Sequence, residues 1–331
     1  MTTRREFHRR VLGLGAAGLG WPALARADDG AFPNRPIRII VPFAAGGGPD
    51  VLTRKMAVKL AATFGQGSFV VVENVVGAGG IVAAQNVARM APDGYNLLLG
   101  ASSHVVQKLM EPDVKFDPVR DFAHVTRTAF TPSILVVRAD SPYKTIGDLV
   151  AAAQREPGKL NYASGGVGSA AHLCGAALAL QAKIDVVHVP YKGSVEIVPS
   201  IMMGSTQYAF PIASTAIPQI RAGKVRALAV TSVQRMKALP DVPTLVEVFN
   251  TPDLALDAWF GLWAPAATPK AVVDRLFHAT ARTYDDAALR ADTEAVGGLV
   301  ALSRSPAEFT EFIEAETVKF RKLVKAAHLS T

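Results

Sequence analysis

Two turns in this chain combine residue types and spacing that could hold an anion. The first is Pro42-Phe43-Ala44-Ala45-Gly46-Gly47-Gly48-Pro49-Asp50. The second is Tyr162-Ala163-Ser164-Gly165-Gly166-Val167-Gly168-Ser169-Ala170-Ala171-His172. Each lies between an apolar run of strand character and a stretch of helical character. The first amides of a helix have no partners within it, and the helix dipole is positive at that end, so such a turn attracts negative charge. Glycine lets the backbone come close to a ligand. One such turn is adequately explained as a tight connection. Two, in matching positions of two α/β units, point to an anion site shared between the units. A third turn, Gly77-Ala78-Gly79-Gly80, occupies the same topological position and reads either as further backbone contact or as a plain helix start.

Other chemistries find weaker support. There is no G-x-x-x-x-G-K-[ST] phosphate loop, and Gly46-Gly47-Gly48 is not a G-x-G-x-x-G fingerprint, although Glu73 lies near the ribose-binding distance. Ser164 sits in A-S-G-G rather than in the G-x-S-x-G elbow of a hydrolase. His172 and His188 have no acid partner placed by spacing and read as packing histidines. Histidines and carboxylates do not cluster as metal ligands do, so neither metal nor cofactor is expected. Cys174, the one cysteine, excludes an intrachain disulfide and reads as a small buried hydrophobe.

The elements that must position these turns follow from hydrophobic periodicity. Strands are expected at 37–42, 69–73 and 96–100, with helices at 51–62 and 80–90 between them. The rhythm repeats with strands at 134–138, 160–163, 186–190, 207–210 and 225–231. Helices are expected at 146–155, 170–181, 195–203 and 217–222. A loop with Pro240 and Pro243 precedes a strand at 259–264, and the tail from 269 to 327 is mostly helical. The fold class expected is α/β: two domains, each a mostly parallel sheet flanked by helices, with a cleft between them. The tail is too small for a third domain and should return to the first. That gives domain 1 as 28–131 plus 251–331 and domain 2 as 132–250, with 122–130 and 254–264 as crossing segments.

The first 27 residues read as an export signal. Arg4-Arg5 before Phe7 matches a twin-arginine pattern, an apolar run spans 11–24, and Ala25-Arg26-Ala27 is a small-residue cleavage site. The run is short for a membrane anchor, which needs about 20 apolar residues. Five arginines and Glu6 lie in this segment, so its removal lowers the net charge from +7 to +3. No basic block remains, and neither nucleic acid nor an anionic membrane surface is an expected partner. The mature chain should start near Asp28 and work in the periplasm.

The strings RPIRIIVPFAAGGGPD, VVVENVVGAGG, PDGYNLLLG and KFDPVRDF resemble the tripartite tricarboxylate transporter receptors, also called Bug proteins. GKLNYASGGVGSAAHL, VVHVPYKGS, IRAGKVRALAVTS, LPDVPTLVE and WFGLWAPAATP continue the likeness in order, from about Phe32 to Pro269. The resemblance implies an exported, two-domain receptor for a small organic carboxylate, acting as a monomer without chemistry and handing its ligand to a membrane permease.

It also implies the site. Backbone amides of Ala45, Gly46, Gly47 and Gly48 and of Gly166, Gly168, Ser169 and Ala170 would hold the carboxylate, with Ser164 nearby and Phe43 and Tyr191 as walls. Ser102, Ser103, Thr131 and Ser133 would face the same cleft. Pro211 stands where family members often carry an aspartate, which implies a ligand without an amine. Ala45, Pro49, Val75-Val76 and Gln107-Lys108 are further departures from the family pattern. The rivals are an exported hydrolase using Ser164 or Ser169 with His172, and an orphan receptor that signals rather than transports.

Overall fold

The computed structural model describes residues 32–329; the export signal read at 1–27 lies outside them. The first run of elements is β1 (Ile37–Val41), α1 (Gly48–Phe64), β2 (Val70–Asn74), α2 (Ile81–Ala88), β3 (Asn96–Ala101), α3 (Ser102–Met110) and β4 (Phe122–Thr131). After Pro132-Ser133 come β5 (Ile134–Arg138), α4 (Ile146–Arg155), β6 (Asn161–Ser164), α5 (Ala170–Ala182) and β7 (Val187–Pro190). Then follow α6 (Ile197–Met202), β8 (Tyr208–Ala209), α7 (Ala213–Arg221), β9 (Val225–Val230) and α8 (Leu245–Phe249). The chain ends with β10 (Ala258–Pro265), α9 (Lys270–Thr283), α10 (Ala287–Ala295), β11 (Leu299–Val300) and α11 (Pro306–Ala326).

These strands form two sheets. One has six strands in the order β11-β4-β10-β3-β1-β2, and the other five in the order β7-β6-β8-β5-β9. The expected α/β architecture of two sheets flanked by helices is present, but the sheets are mixed rather than mostly parallel. β1 runs parallel to both β2 and β3, whereas β10 is antiparallel to β3 and β4. In the second sheet β6 is parallel to β7 and β8, while β5 is antiparallel to β8 and β9. The antiparallel pairs come from β4, β5 and β10, the strands that carry the chain into and out of the second sheet. The βαβ rhythm fixes only the strands joined by crossover helices.

The C-terminal helices pack on both faces of the first sheet, α9 against α1 and β4, and α11 against α3 and β4. β10 supplies the centre of that core: every residue of Ala258–Pro265 is buried, and Trp259 and Trp263 are wholly so, with the Phe309 ring of α11 edge-on to Trp259. A small polar network ties the crossing segments together. The Ser133 N–H donates to Thr231 Oγ1 at 2.9 Å, and that hydroxyl donates to Asp257 Oδ1 at 3.0 Å. Burial pushes the Asp257 carboxyl up to about 6, against the opposing bond from Thr231. Among the described residues no helix is long and apolar enough to cross a membrane.

Candidate ligand site

A cavity of about 290 Å³ lies where the two sheets present their helix starts. From the first sheet come Phe43 and Ala44 after β1, Gly77 and Gly79-Gly80 before α2, and Ser102-Ser103 at the start of α3. From the second come Ser169-Ala170 at the start of α5, the turn Lys192–Ile197 after β7, and Phe210 and Ile212 before α7. Phe260 of β10 completes the wall; it pairs with Ala101 across the sheet and meets Phe43 edge-on at 5.8 Å.

The helices that begin here share a peculiarity. No side chain accepts from the first-turn amides of α1, α2, α3 or α7, whose N-cap residues are Gly47, Gly80, Ala101 and Ile212. At α5, Ser169 Oγ accepts from the His172 N–H. Away from the cavity, α4, α8, α10 and α11 are capped by Thr145, Thr244, Asp286 and Ser305 in the usual way. The positive dipole ends of the helices that begin here therefore gather on one space, although the Ile81 N–H of α2 already donates to Ala78 O and the Ala213 N–H of α7 to Pro132 O at 2.7 Å; Ser102 and Ser103 of α3 line the cavity directly. Among the described residues only two charged ones line it, Lys192 and Glu196, of opposite sign and on one turn. Ser103 Oγ, at the start of α3, is buried without a hydrogen-bond partner among the described residues.

Of the residues expected at the site, Phe43, Ser102, Ser103, Ser169 and Ala170 line the cavity. Ala45, Gly46, Gly47 and Gly48 do not. The first turn already holds an internal anion: Asp50 is buried, and its carboxylate accepts from the Gly46 N–H at 2.8 Å and from Asn74 Nδ2 at 2.8 Å. Burial would raise the Asp50 pKa, but hydrogen bonds from Arg54, Gly46 and Asn74, with the Arg54 charge, outweigh it and hold the carboxyl below its usual value. The Gly47 N–H donates to Ala44 O, and Gly48 abuts Ser214 of α7 so closely that a Cβ would stand 1.9 Å from its Oγ. This turn thus brings α1 against the second lobe and presents its neighbours, Phe43, Ala44 and Pro49, to the cavity.

The second turn is likewise shifted. Gly165 lines the cavity, but Gly166 and Gly168 do not. Gly168 has φ +75°, and a Cβ there would lie 2.8 Å from Cγ of Gln107 on α3, so this glycine serves contact between lobes. Ser164 is wholly buried: its Oγ accepts from the Gly166 N–H at 3.1 Å and lies 2.6 Å from His188 Nε2. The ring of His188 stacks on His172 at 4.0 Å, and His172 Nδ1 accepts from the Gly168 N–H. Burial pulls both histidines down to about 4. The serine-histidine contact of the hydrolase reading thus forms with His188 instead of His172, around an oxygen closed to solvent.

Thr131, Ser133, Tyr191 and Pro211 also lie off the main cavity. Thr131 borders a separate void of about 20 Å³, and Ser133 is sealed in the crossing network. The Tyr191 N–H donates to Ser164 O at 2.9 Å, and the residues after it reach the cavity instead. Pro211 O accepts from the Ile134 N–H at 2.9 Å while its neighbours Phe210 and Ile212 face inward. Cys174 is buried, its thiol pushed up to about 12 by that burial.

Sequence reasoning missed the turn Lys192–Ile197 and Phe260. The turn carried a usable signal, since Gly193-Ser194 follows β7 and precedes a helix just as the other turns do. Phe260 carried none, because it lies in a strand buried along its whole length.

A model of the tripartite tricarboxylate transporter family receptor matches residues 52–329. The chain belongs to this family. A Pseudomonas sp. (strain P51) protein described as a UPF0065 protein in the tcbD-tcbE intergenic region is 37% identical over 296 residues, covering 89% of this chain and 87% of the relative. Rpa4515 of R. palustris, solved with adipate, has a TM-score of 0.85 at 29% identity and covers 90% of this chain and 99% of its own. MatC of Rhodopseudomonas palustris, with bound malate, has a TM-score of 0.82 at 30% identity, over 88% of this chain and 100% of its own. The family is one of solute-binding receptors, with periplasmic members and Bug proteins among the relatives.

Proposed function

We propose that this chain is a periplasmic receptor for a small organic carboxylate and that it performs no chemistry on its ligand. The observation that carries this reading is the gathering, on one cavity, of helix starts from both sheets without an N-cap side chain, with no arginine lining it among the described residues. Amides at such starts hold a carboxylate without a fixed cation, which would be left unpaired when the site is empty. Ser102, Ser103 and Ser169 supply hydroxyls beside these amides. The buried Ser164 and its histidine neighbour, with no carboxylate bonded to His188 among the described residues, give little support to a hydrolase.

The lobes of this receptor comprise 28–131 with 251–331, and 132–250, and rotate about the crossings at Ser133 and Asp257. Because the ligand contacts both lobes, its differential affinity favours the closed state. The protein is exported through its twin-arginine signal, works as a monomer, and delivers to permease subunits of a tripartite transporter. The ligand lacks an amine: Pro211, between the cavity-lining Phe210 and Ile212, brings no carboxylate to that side, and Glu196, the one acid lining the cavity among the described residues, shares its turn with Lys192.

A thermal-shift panel of organic acids on the mature protein tests the reading. A ligand at 100 times its Kd should add about 2.7 kcal/mol of stability. Failure of every carboxylate to shift the transition would overturn it. Succinate should bind better than aspartate. If aspartate wins and Glu196→Gln abolishes its binding, the amine-free reading falls and Glu196 is the counter-charge.

A further inference from the structure

The walls of the cavity say more about the ligand than its helix starts do. Phe43 and Phe260 form one apolar surface on the first lobe, and Phe210, Ile212 and Ile197 form another on the second. Phe210 is wholly buried and Phe260 nearly so, and both rings are held by aromatic neighbours, Tyr208 and Phe43. These surfaces are therefore in place before a ligand arrives. They offer no hydrogen-bonding group. Apart from Lys192, Ser194 and Glu196 on the turn that leads into Ile197, the polar side chains sit on other elements: Ser102 and Ser103 at the start of α3, and Ser169 at the start of α5. The space, about 290 Å³, lies at the small end of ordinary ligand pockets.

We infer that the ligand is a carboxylic acid whose carbon skeleton is apolar and free of hydroxyls, an aromatic or plain aliphatic acid, and not a hydroxy-acid or tricarboxylate. The inference rests on the carboxylate-receptor reading and narrows it. A carboxylate held at the serine-bearing helix starts leaves the rest of the molecule between the phenyl and aliphatic walls. A hydroxyl on that skeleton, or a carboxylate branching from it between the walls, would give up water for no partner, whereas a carboxylate at its far end can reach the start of α5. Lys192 and Glu196, opposite in sign on the same turn, do not add up to a counter-charge for a polyanion. An apolar body in the same position covers the half-buried Phe43 ring and Ile212 side chain, which the buried Phe260 and Phe210 back.

Calorimetric titration with phenylacetate, adipate, malate and citrate tests this. At least one of phenylacetate and adipate should bind ten or more times tighter than both malate and citrate. Phe43→Ser should weaken the better of the two at least fivefold and change malate less than twofold. Malate or citrate binding as tightly as the apolar-bodied acids would overturn the inference while leaving a carboxylate receptor standing. Binding of none of the four and of no other carboxylate would instead overturn the functional reading itself. The ligand comparison on unmodified protein decides the matter even if Phe43→Ser folds poorly.

Discussion

The helix starts at the cavity and those remote from it solve the same physical problem in opposite ways. At α4, α8, α10 and α11 a Thr, Asp or Ser side chain accepts from an N–H of the first turn. At α1, α2, α3 and α7 no N-cap side chain does so among the described residues, although His104 of α3 reaches back to the Ala101 N–H. A missing cap costs a helix about 1 kcal/mol, so these starts give up stability that the rest of the molecule retains. Where no protein oxygen takes a first-turn amide, a bound anion can; Ser102 and Ser103 of α3 line the cavity, whereas the Ile81 and Ala213 amides already donate to Ala78 O and Pro132 O. Two helices complicate the pattern. α5 faces the cavity yet is capped by Ser169, and α9 begins at Pro269 with no side-chain cap.

Placing an internal anion at a cavity start should break the contrast most severely. Ser103→Asp puts a carboxylate at the uncapped start of α3. Ligand affinity should fall more than 100-fold, while the unliganded protein keeps its stability or gains about 0.3–1 kcal/mol from the dipole interaction. Calorimetry and chemical unfolding read the two effects separately; unchanged affinity would remove α3 from the site.

Acidification should separate the two sets of helix starts by pH window. His104 of α3 accepts from the Ala101 N–H through Nδ1 and is fully buried, which pulls it down to about 4 from an ordinary 6.5. The folded state resists protonation, so the stability it contributes is complete above 6.5 and is lost as pH falls toward 4. His104 alone should remove about 2 kcal/mol between pH 6.5 and 5. His124, His172 and His188, also held near 4, act in the same direction. At the remote starts, hydrogen bonds to Lys59 and the Leu289 N–H hold the Asp286 carboxyl below its usual value. Its contribution is kept above the ordinary carboxylate range and lost only at lower pH. Urea titrations from pH 7 to 3 should therefore show a first loss of stability well above pH 4. A flat profile down to pH 4 would contradict the burial argument.

Ser169 belongs to both sets. Ser169→Ala should cost about 1 kcal/mol of stability and weaken ligand binding by about 0.5–1.5 kcal/mol. A loss in only one of these would assign it to one role. Ser305→Ala, far along the chain at the start of α11, should cost about 1 kcal/mol of stability and leave ligand affinity within twofold. A change in affinity there would show that capping differences do not localise the site.

Much of the fold was legible because crossover units announce themselves. IRIIV, FVVVE and VRALAVT are short apolar runs bounded by turns, and the helix after Thr145 carries its capping residue in the sequence. What escaped lacked such a signal. α3 was not read because Ala101 is no capping type and the polar Ser103, His104 and Gln107 of SSHVVQKLM are themselves buried, so its polar spacing does not mark a solvent face. α7 begins at Ala213, four residues before the expected start, because Ile212 is not a capping type and Pro218 lies inside the helix. β4 reads as a crossing segment from sequence, yet it is ten residues of strand paired with β10. At the site, the position of the glycine-rich turns was readable but their use was not. That Asp50 would consume the Gly46 amide, and that Gly168 would serve Gln107, depend on contacts made between distant segments.

Helix starts without side-chain caps make this cavity a carboxylate site. That claim is tested most directly by comparing an acid with its own amide, two ligands of the same shape that differ in charge. Phenylacetate and phenylacetamide, titrated calorimetrically against the unmodified mature protein, form such a pair. The account predicts that the acid binds at least 100-fold tighter than the amide. Equal affinity, or preference for the amide, would contradict it.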